Sequence, residues 1–196
     1  MLDLPHTAHV EGHEIRWGSI GDGPPLIALH GTPFSSQVWR RIIPHVADRR
    51  QVHVYDMPGY GQSEMRDDQD VSLSTENGVL AGLLQLWGVE RPDVLAHDFG
   101  GAKALRLHYF DKIDYASLLI FDAVAMAPWG SPLVQHVRQH EDAFTGMSGY
   151  MHRAVLDAYL HKAVDVPLHP DVLALYRAPR ATKQGQPAFY REIVQM

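Results

Sequence analysis

The chain has 196 residues, 45% of them hydrophobic, which is enough for one domain with a core or one domain with an added lobe. Its formal net charge is −6 and its basic residues form no long cluster, which argues against a surface that binds nucleic acid or another polyanion. The chain contains no cysteine, so disulfides and thiol chemistry are excluded.

The sequence shows no pattern typical of a signal peptide or of a membrane-spanning segment. The N-terminal stretch MLDLPHTAHVEGHEI has no basic start followed by an apolar run, so it is unlike a signal peptide. No stretch approaches the ~20 apolar residues that a membrane-spanning helix needs. Together with the lack of cysteine, this pattern predicts a cytoplasmic protein that does not bind a membrane. It leaves the oligomeric state open.

The chain up to about residue 125 alternates between strand and helix patterns. HTAHV and HEIRWGSI predict a hairpin, and apolar runs predict strands in PPLIALHG, QVHVYDMPG, RPDVLAHD and YASLLIFDAV. Helical spacing predicts helices in SSQVWRRIIPHVADR, with Ser35 or Ser36 as N-cap, and in STENGVLAGLLQLWGV and GGAKALRLHYFDK. The repeated strand–helix–strand order predicts an α/β fold with a mainly parallel sheet and helices on both faces.

The pattern changes after about residue 125, where no further buried strand is predicted. Proline and glycine separate four predicted helices, at roughly 131–143, 150–164, 171–178 and 186–195. We therefore expect a core over residues 1–125 and a helical cap over residues 126–196. Such a cap would lie over the carboxyl edge of the sheet, where open α/β sheets bind ligands.

The stretch AHDFGG, residues 96 to 101, follows a predicted strand and opens a predicted helix. Small residues such as Ala96 and Gly100 around one reactive side chain are typical of a sharp, strained nucleophile elbow. The N-terminus of the helix would also stabilise negative charge on Asp98. The alternative is that Asp98 only caps the helix.

Two further loops end neighbouring predicted strands. In HGTP, residues 30 to 33, the backbone N–H of Thr32 can face the nucleophile, and with the N–H of Phe99 it would form an anion hole with two donors. DMPGYGQS, residues 56 to 63, is predicted to be a tight loop at the same edge, with Asp56 orienting it. Ser63 lies outside any G-x-S-x-G pattern and is not a predicted nucleophile.

The order HGTP, DMPGYGQS, AHDFGG resembles the α/β-hydrolase fold family. An aspartate at the elbow, preceded by His97, is similar to the branch that contains epoxide hydrolases and haloalkane dehalogenases. The resemblance implies an enzyme with a helical cap, a small-molecule substrate, and neither a cofactor nor a metal. A carboxylate nucleophile suits displacement at an electrophilic sp3 carbon, which forms an alkyl ester of Asp98 that water activated by a histidine then hydrolyses.

The leaving group separates the two enzyme types. The resemblance implies that a dehalogenase binds halide with a tryptophan after the nucleophile and often an asparagine in HG-x-P, positions that Phe99 and Thr32 hold here. Neither side chain offers an N–H, so an epoxide is favoured over a haloalkane. Epoxide hydrolases use cap tyrosines as acids, and PAFYREI, residues 187 to 193, resembles the segment that supplies Tyr190. For a second tyrosine, Tyr150 and Tyr159 are both candidates.

The rest of the catalytic set is less complete. FDAVAMAP, residues 121 to 128, resembles a dehalogenase segment in which Asp122 would be the triad acid. Two alternatives remain: the triad acid can follow the next strand of the family fold, or Asp122 can be a capping residue where the chain enters the helical cap. The last strands of the family fold and the triad histidine have no counterpart in the chain, so we expect the chain alone to be incomplete. A dehalogenase-like or esterase-like hydrolase and a non-catalytic relative therefore remain alternatives. The cap histidines are predicted to be solvated: His136, His140, His152, His161 and His169.

Overall fold

The computed structural model of the chain describes residues 1–126 and 130–196. Its strands are β1 (His6–Val10), β2 (His13–Ile20), β3 (Pro25–Leu29), β4 (Gln51–Tyr55), β5 (Asp93–His97) and β6 (Ser117–Phe121). They form one sheet in the order β1-β2-β4-β3-β5-β6. β1 pairs antiparallel with β2, and β2 with β4, while β3, β4, β5 and β6 are parallel. The predicted α/β fold and its mainly parallel sheet are confirmed.

The helices lie between the parallel strands and after β6. They are α1 (Leu73–Trp87), α2 (Phe99–Asp111), α3 (Pro132–Gln139), α4 (Glu141–Thr145), α5 (Gly149–Lys162), α6 (Pro170–Arg180) and α7 (Gly185–Gln195). We call α3 to α7 the cap helices. No helix in residues 1–126 and 130–196 is long and apolar enough to cross a membrane.

Two helix predictions were wrong in detail. The segment after β3 forms two short 3-10 helices, Ser36–Arg41 and Ile43–His45, instead of one α-helix. Pro44 has no N–H to donate, which interrupts an α-helical hydrogen-bond ladder. Ser35 is the N-cap of the first, and its side chain accepts from the Gln37 N–H at 3.4 Å. The predicted helix over 131–143 is divided at His140 into α3 and α4.

Apolar side chains form three buried clusters. One packs α1 and α2 on the sheet through residues such as Ile27, Leu83 and Leu107. A second covers the opposite face with Trp39 and Val54. The third joins the cap helices to one another through residues that include Leu156, Phe189 and Ile193, and Phe34 from the HGTP loop closes it.

The cap helices therefore share a core of their own, which Phe34 contacts from the segment that follows β3. This supports the division into residues 1–125 and 126–196, which we retain as a proposal. Residues 127–129 at that boundary, including Ala127 and Pro128 of the FDAVAMAP stretch, lie outside the described residues.

Candidate active site

Asp98 lies at the turn between β5 and α2 with φ 52° and ψ −121°. A positive φ is strained for a side chain other than glycine, as expected at a nucleophile elbow. The turn requires small neighbours, since a Cβ on Gly100 would lie 2.6 Å from the His30 carbonyl oxygen, and Ala96 is fully buried. Asp98 holds the N-cap position of α2, but its side chain makes no capping hydrogen bond.

The HGTP loop after β3 approaches Asp98 closely. The Thr32 N–H donates to Asp98 Oδ1 at 2.8 Å. A Cβ on Gly31 would lie 2.3 Å from Asp98 Cβ, so only glycine permits this approach. The Phe99 side chain is buried in the cluster that packs α1 and α2 on the sheet. This residue therefore offers the site only its backbone.

Asp56, which is fully buried, stabilises the DMPGYGQS loop after β4 through hydrogen bonds. Its Oδ1 accepts from the Ser36 N–H and its Oδ2 from the Gln62 N–H, both at 2.7 Å. Burial raises the pKa of Asp56, and these N–H donors oppose the rise. Ser63 Oγ donates to the Asp56 carbonyl oxygen at 2.5 Å, so its hydroxyl proton is already engaged. Asp56 orients this loop, as the sequence predicts.

Asp98 and Thr32 border a cavity of about 640 Å³ between the sheet and the cap helices. Apolar walls come from Phe34, Leu133 and one face of α5. That face also carries Tyr159 and, one turn later, Lys162. A mostly apolar cavity with a few converging polar groups is typical of a small-molecule site.

Burial raises the pKa values of two groups that line the cavity, Asp98 and Tyr159. It raises the pKa of Asp98, while the N–H groups of Phe99 and Thr32 stabilise the carboxylate and oppose the rise. Burial, together with the negative charge of Asp98, raises the pKa of Tyr159 to about 12. Tyr159 is therefore a protonated donor at neutral pH, close enough to Asp98 to respond to its charge.

The structure brings Asp98, Thr32 and Asp122 to one cavity, but Tyr190 is not among the described residues that line it. Tyr190 is fully buried in the core of the cap, where its hydroxyl lies 3.0 Å from His152 Nδ1. α7 turns its apolar face, including Tyr190, toward the cap interior. Of the other two candidates, Tyr150 is 67% exposed and Tyr159 lines the cavity.

Asp122 follows β6 directly, is exposed and has φ 47°. Its charge contributes to raising the pKa of Asp98, so the two carboxylates face the same space. Lys162 was not predicted as a site residue, although its position three residues after Tyr159 places both on one helix face.

The burial of the cap histidines differs at one position from the prediction. His152 is buried, which corrects the prediction that it is solvated, whereas His136, His140, His161 and His169 are exposed as predicted. His30 is buried beneath the site, where its Nε2 accepts from the Met57 N–H at 3.1 Å. Burial lowers the pKa of His30 well below its usual value, so the ring is neutral.

The chain is similar to several known proteins in sequence and fold. The family model for the alpha/beta hydrolase fold matches residues 24–113. A crystal structure of an alpha/beta hydrolase fold protein from Burkholderia ambifaria is 56% identical, has a TM-score of 0.97, and is matched over 100% of this chain and 72% of that chain. A soluble epoxide hydrolase from Corynebacterium is 31% identical over 61% of this chain. A haloalkane dehalogenase from Mesorhizobium japonicum is 38% identical over 43% of this chain.

The chain spans less than half the length of each of these two enzymes, 41% and 27%. The likeness to the Burkholderia protein, by contrast, covers the sheet, the elbow, the HGTP loop and the cap helices together. The chain belongs to the alpha/beta hydrolase fold family.

Proposed function

We propose that this chain carries the nucleophile site of a hydrolase that forms an alkyl ester on Asp98, with an epoxide as the preferred substrate class. The observation that carries this proposal is the Asp98 carboxylate, held on a strained elbow against the Thr32 N–H, in a cavity that Tyr159 lines. The named relatives include a soluble epoxide hydrolase, which supports the same class. We retain the cytoplasm as the proposed location and a small molecule as the proposed partner.

In the first step, an Asp98 carboxylate oxygen attacks a ring carbon of the epoxide and the C–O bond of the ring breaks. The electron pair goes to the ring oxygen, which takes the phenolic proton of Tyr159. Although the pKa of Tyr159 is raised to about 12, an alkoxide is more basic than a phenolate. The transfer therefore runs downhill once the C–O bond lengthens. In this proposal Tyr159 takes the role that was predicted for Tyr190 from the sequence.

In the second step, water attacks the carbonyl carbon of the ester and the developing oxyanion meets the N–H groups of Thr32 and Phe99. The tetrahedral intermediate collapses by breaking the bond between that carbon and the alkyl oxygen, which leaves as the diol with the proton taken from the water, and the remaining acid proton returns to the Tyr159 phenolate, so that Asp98 is again a carboxylate. This step needs a base that removes a proton from the water. In our proposal Asp122 is the acid that would orient a histidine in that role. Among the described histidines only His97 lines the cavity, and its ring packs on Phe121 at 5.1 Å.

A halide leaving group is disfavoured by the two positions that would bind it. The Phe99 side chain lies in the core, and Thr32 Oγ1 is 2.6 Å from the Tyr60 hydroxyl. Neither presents an N–H to the cavity from its side chain. An epoxide oxygen needs only a proton donor, and Tyr159 supplies one.

The experiment follows the fate of Asp98 in two ways. The chain is incubated with styrene oxide in H₂¹⁸O, and intact mass and peptide spectra are recorded. We expect either a persistent adduct on the peptide that contains Asp98, or ¹⁸O in its carboxylate if the ester turns over. Asp98→Asn should show neither. An adduct of equal yield in Asp98→Asn, or no adduct and no label in the unmodified chain, contradicts the proposal.

Tyr159→Phe tests the acid. We expect the rate of adduct formation or turnover to fall by about 10²-fold, within the range for loss of a general acid. Tyr150→Phe is the matched control, since this tyrosine on the same helix is exposed, and it should react at the unmodified rate. Equal reaction of 1-bromohexane and styrene oxide, with no effect of Tyr159→Phe, would favour the haloalkane alternative.

A further inference from the structure

Arg180, the last residue of α6, is a buried cation with 1% of its surface exposed. Its Nη1 donates to Glu192 Oε1 on α7 at 2.5 Å and to the Gly59 carbonyl oxygen at 2.8 Å. Its Nε donates to the Pro33 carbonyl oxygen at 3.2 Å. One guanidinium thus joins two cap helices to the loops that follow β3 and β4.

Tyr60 is the next contact of Arg180. The Cζ atom of Arg180 lies 4.4 Å from the centroid of the Tyr60 ring, a cation–π geometry. The Tyr60 hydroxyl lies 2.6 Å from Thr32 Oγ1, and both residues are buried. Arg180 therefore fixes the ring of Tyr60, and the hydroxyl of Tyr60 fixes the side chain of Thr32.

The Thr32–Pro33 segment is consequently held at two points. Tyr60 engages the side chain of Thr32, and Arg180 engages the carbonyl oxygen of Pro33. Between these anchors the Thr32 N–H points at Asp98 Oδ1 at 2.8 Å. A hydrogen bond depends steeply on its angle, so a small rotation of this segment would weaken it.

We propose that Arg180 is a positioning residue that, through Tyr60 and the Pro33 carbonyl, aims the Thr32 N–H at the Asp98 carboxylate. The proposal rests on the proposed function only for the role of Asp98 as nucleophile. Arg180 is not a lining residue of the cavity among those described, so it acts on the reaction through the backbone of the HGTP loop.

The same contacts couple the cap to the nucleophile. His152 on α5 donates from Nε2 to the Arg180 carbonyl oxygen at 3.0 Å, and its Nδ1 accepts from the Tyr190 hydroxyl at 3.0 Å. α5 also carries Tyr159, the proposed acid. Arg180 thereby ties the helix that bears the acid to the loop that bears the N–H donor.

Direct titration of Asp98 tests the proposal without a substrate. The ¹³Cγ resonances of aspartate in the full 196-residue chain are followed against pH, with Asp98 assigned by Asp98→Asn. The hydrogen bond from Thr32 favours the carboxylate, so weakening that bond must raise the pKa of Asp98. We expect Tyr60→Phe and Arg180→Lys each to raise that pKa by about half to one pH unit. The other ionisable groups facing Asp98, which stay unchanged in both variants, are His97, Asp122, Tyr159 and Lys162.

Tyr60→Phe decides the outcome if Arg180→Lys fails to fold, because it removes one hydroxyl and leaves the ring under the guanidinium. Tyr115→Phe is the matched control: its hydroxyl donates to the Ala104 carbonyl oxygen at 2.9 Å, away from Thr32. It should leave the pKa of Asp98 unchanged. A folded Tyr60→Phe with an unshifted Asp98 overturns the positioning role.

Adduct formation with styrene oxide separates this proposal from the proposed function. We expect Tyr60→Phe to lower the maximal rate at Asp98 about three- to tenfold, because the misaligned Thr32 N–H no longer holds the attacking carboxylate oxygen in position. The half-saturating concentration should be unchanged, because Tyr60 and Thr32 position the carboxylate and not the substrate. A shifted Asp98 pKa without any adduct in the unmodified chain supports the positioning role and sinks the nucleophile role. An adduct whose maximal rate is the same in Tyr60→Phe overturns the positioning role.

Discussion

At the scale of single residues, the elbow places a carboxylate where the fold disfavours it. Asp98 combines a φ of 52° with a pKa that burial raises. Asparagine adopts positive φ more readily than most residues and carries no charge to desolvate. We therefore expect a neutral isostere of aspartate to be more stable at this position.

We predict that Asp98→Asn stabilises the chain at neutral pH by on the order of 1 kcal/mol. The folded pKa of Asp98 is raised above its unfolded value, so its contribution to stability is present at low pH and is lost as pH rises through the folded pKa. The advantage of asparagine should therefore grow between pH 4 and pH 7. Urea unfolding across that range measures it.

Asp68→Asn is the matched control for this prediction. Asp68 also has a positive φ, 57°, but it is exposed and does not line the cavity of Asp98. It should show the backbone preference of asparagine alone. A gain in Asp98→Asn that equals the control at every pH would show that burial of the charge plays no part.

At the scale of elements, a buried ion pair joins the helix of the elbow to its neighbour. Lys103 on α2 lies 2.6 Å from Glu76 Oε2 on α1 and 2.6 Å from the Tyr55 hydroxyl on β4, and all three are buried. α2 begins directly after Asp98, so this contact fixes the helix whose N-terminus faces the site. Removing one partner leaves an uncompensated buried charge.

We predict that Lys103→Met lowers the free energy of unfolding by about 3–5 kcal/mol. The double variant Lys103→Met with Glu76→Leu should recover most of the loss, because it removes both charges. Denaturant unfolding of the two single variants and the double variant gives the coupling directly. If the loss of unfolding free energy in the double variant equals the sum of the two single losses, the effect comes from packing and not from the ion pair.

At the scale of the whole molecule, buried histidines contribute to the pH dependence of stability. Burial lowers the pKa of four of them: His13, His30, His53 and His152. A lowered folded pKa contributes stability that is present above the unfolded value near 6.5 and is lost as pH falls toward the folded value. His53 isolates the effect, because neither ring nitrogen has a hydrogen-bond partner among the described residues.

We predict that His53→Phe stabilises the molecule and that the gain grows as pH falls from 7.5 to 5.5. The His53 ring stacks on Trp87 at 4.8 Å, and a phenyl ring can keep that contact without a proton to bind. Thermal unfolding across this range measures the gain. His9→Phe, at an exposed position of β1, is the control, and an equal slope in the two variants contradicts the prediction.

The sequence by itself determined the elements and loops of the sheet region. Hydrophobic runs located β3 and β5, and small residues located the elbow around Asp98 and the loop at Thr32, because these signals are local in the chain. The resemblance to the hydrolase family, drawn from those same loops, is confirmed by the comparisons. The roles assigned to Asp98, Asp122 and Phe99 stay proposals.

Only the tertiary structure decided which cap side chains line the cavity that Asp98 borders. The spacing of apolar residues predicted α5 and α7 closely, but it could not say which face of each helix turns inward. That choice depends on packing between helices distant in sequence, which buries Tyr190 and His152 together and leaves Tyr159 on the cavity wall. The role of Arg180 had no local signal, because the two loop carbonyls that it binds, those of Gly59 and Pro33, lie 121 and 147 residues away along the chain.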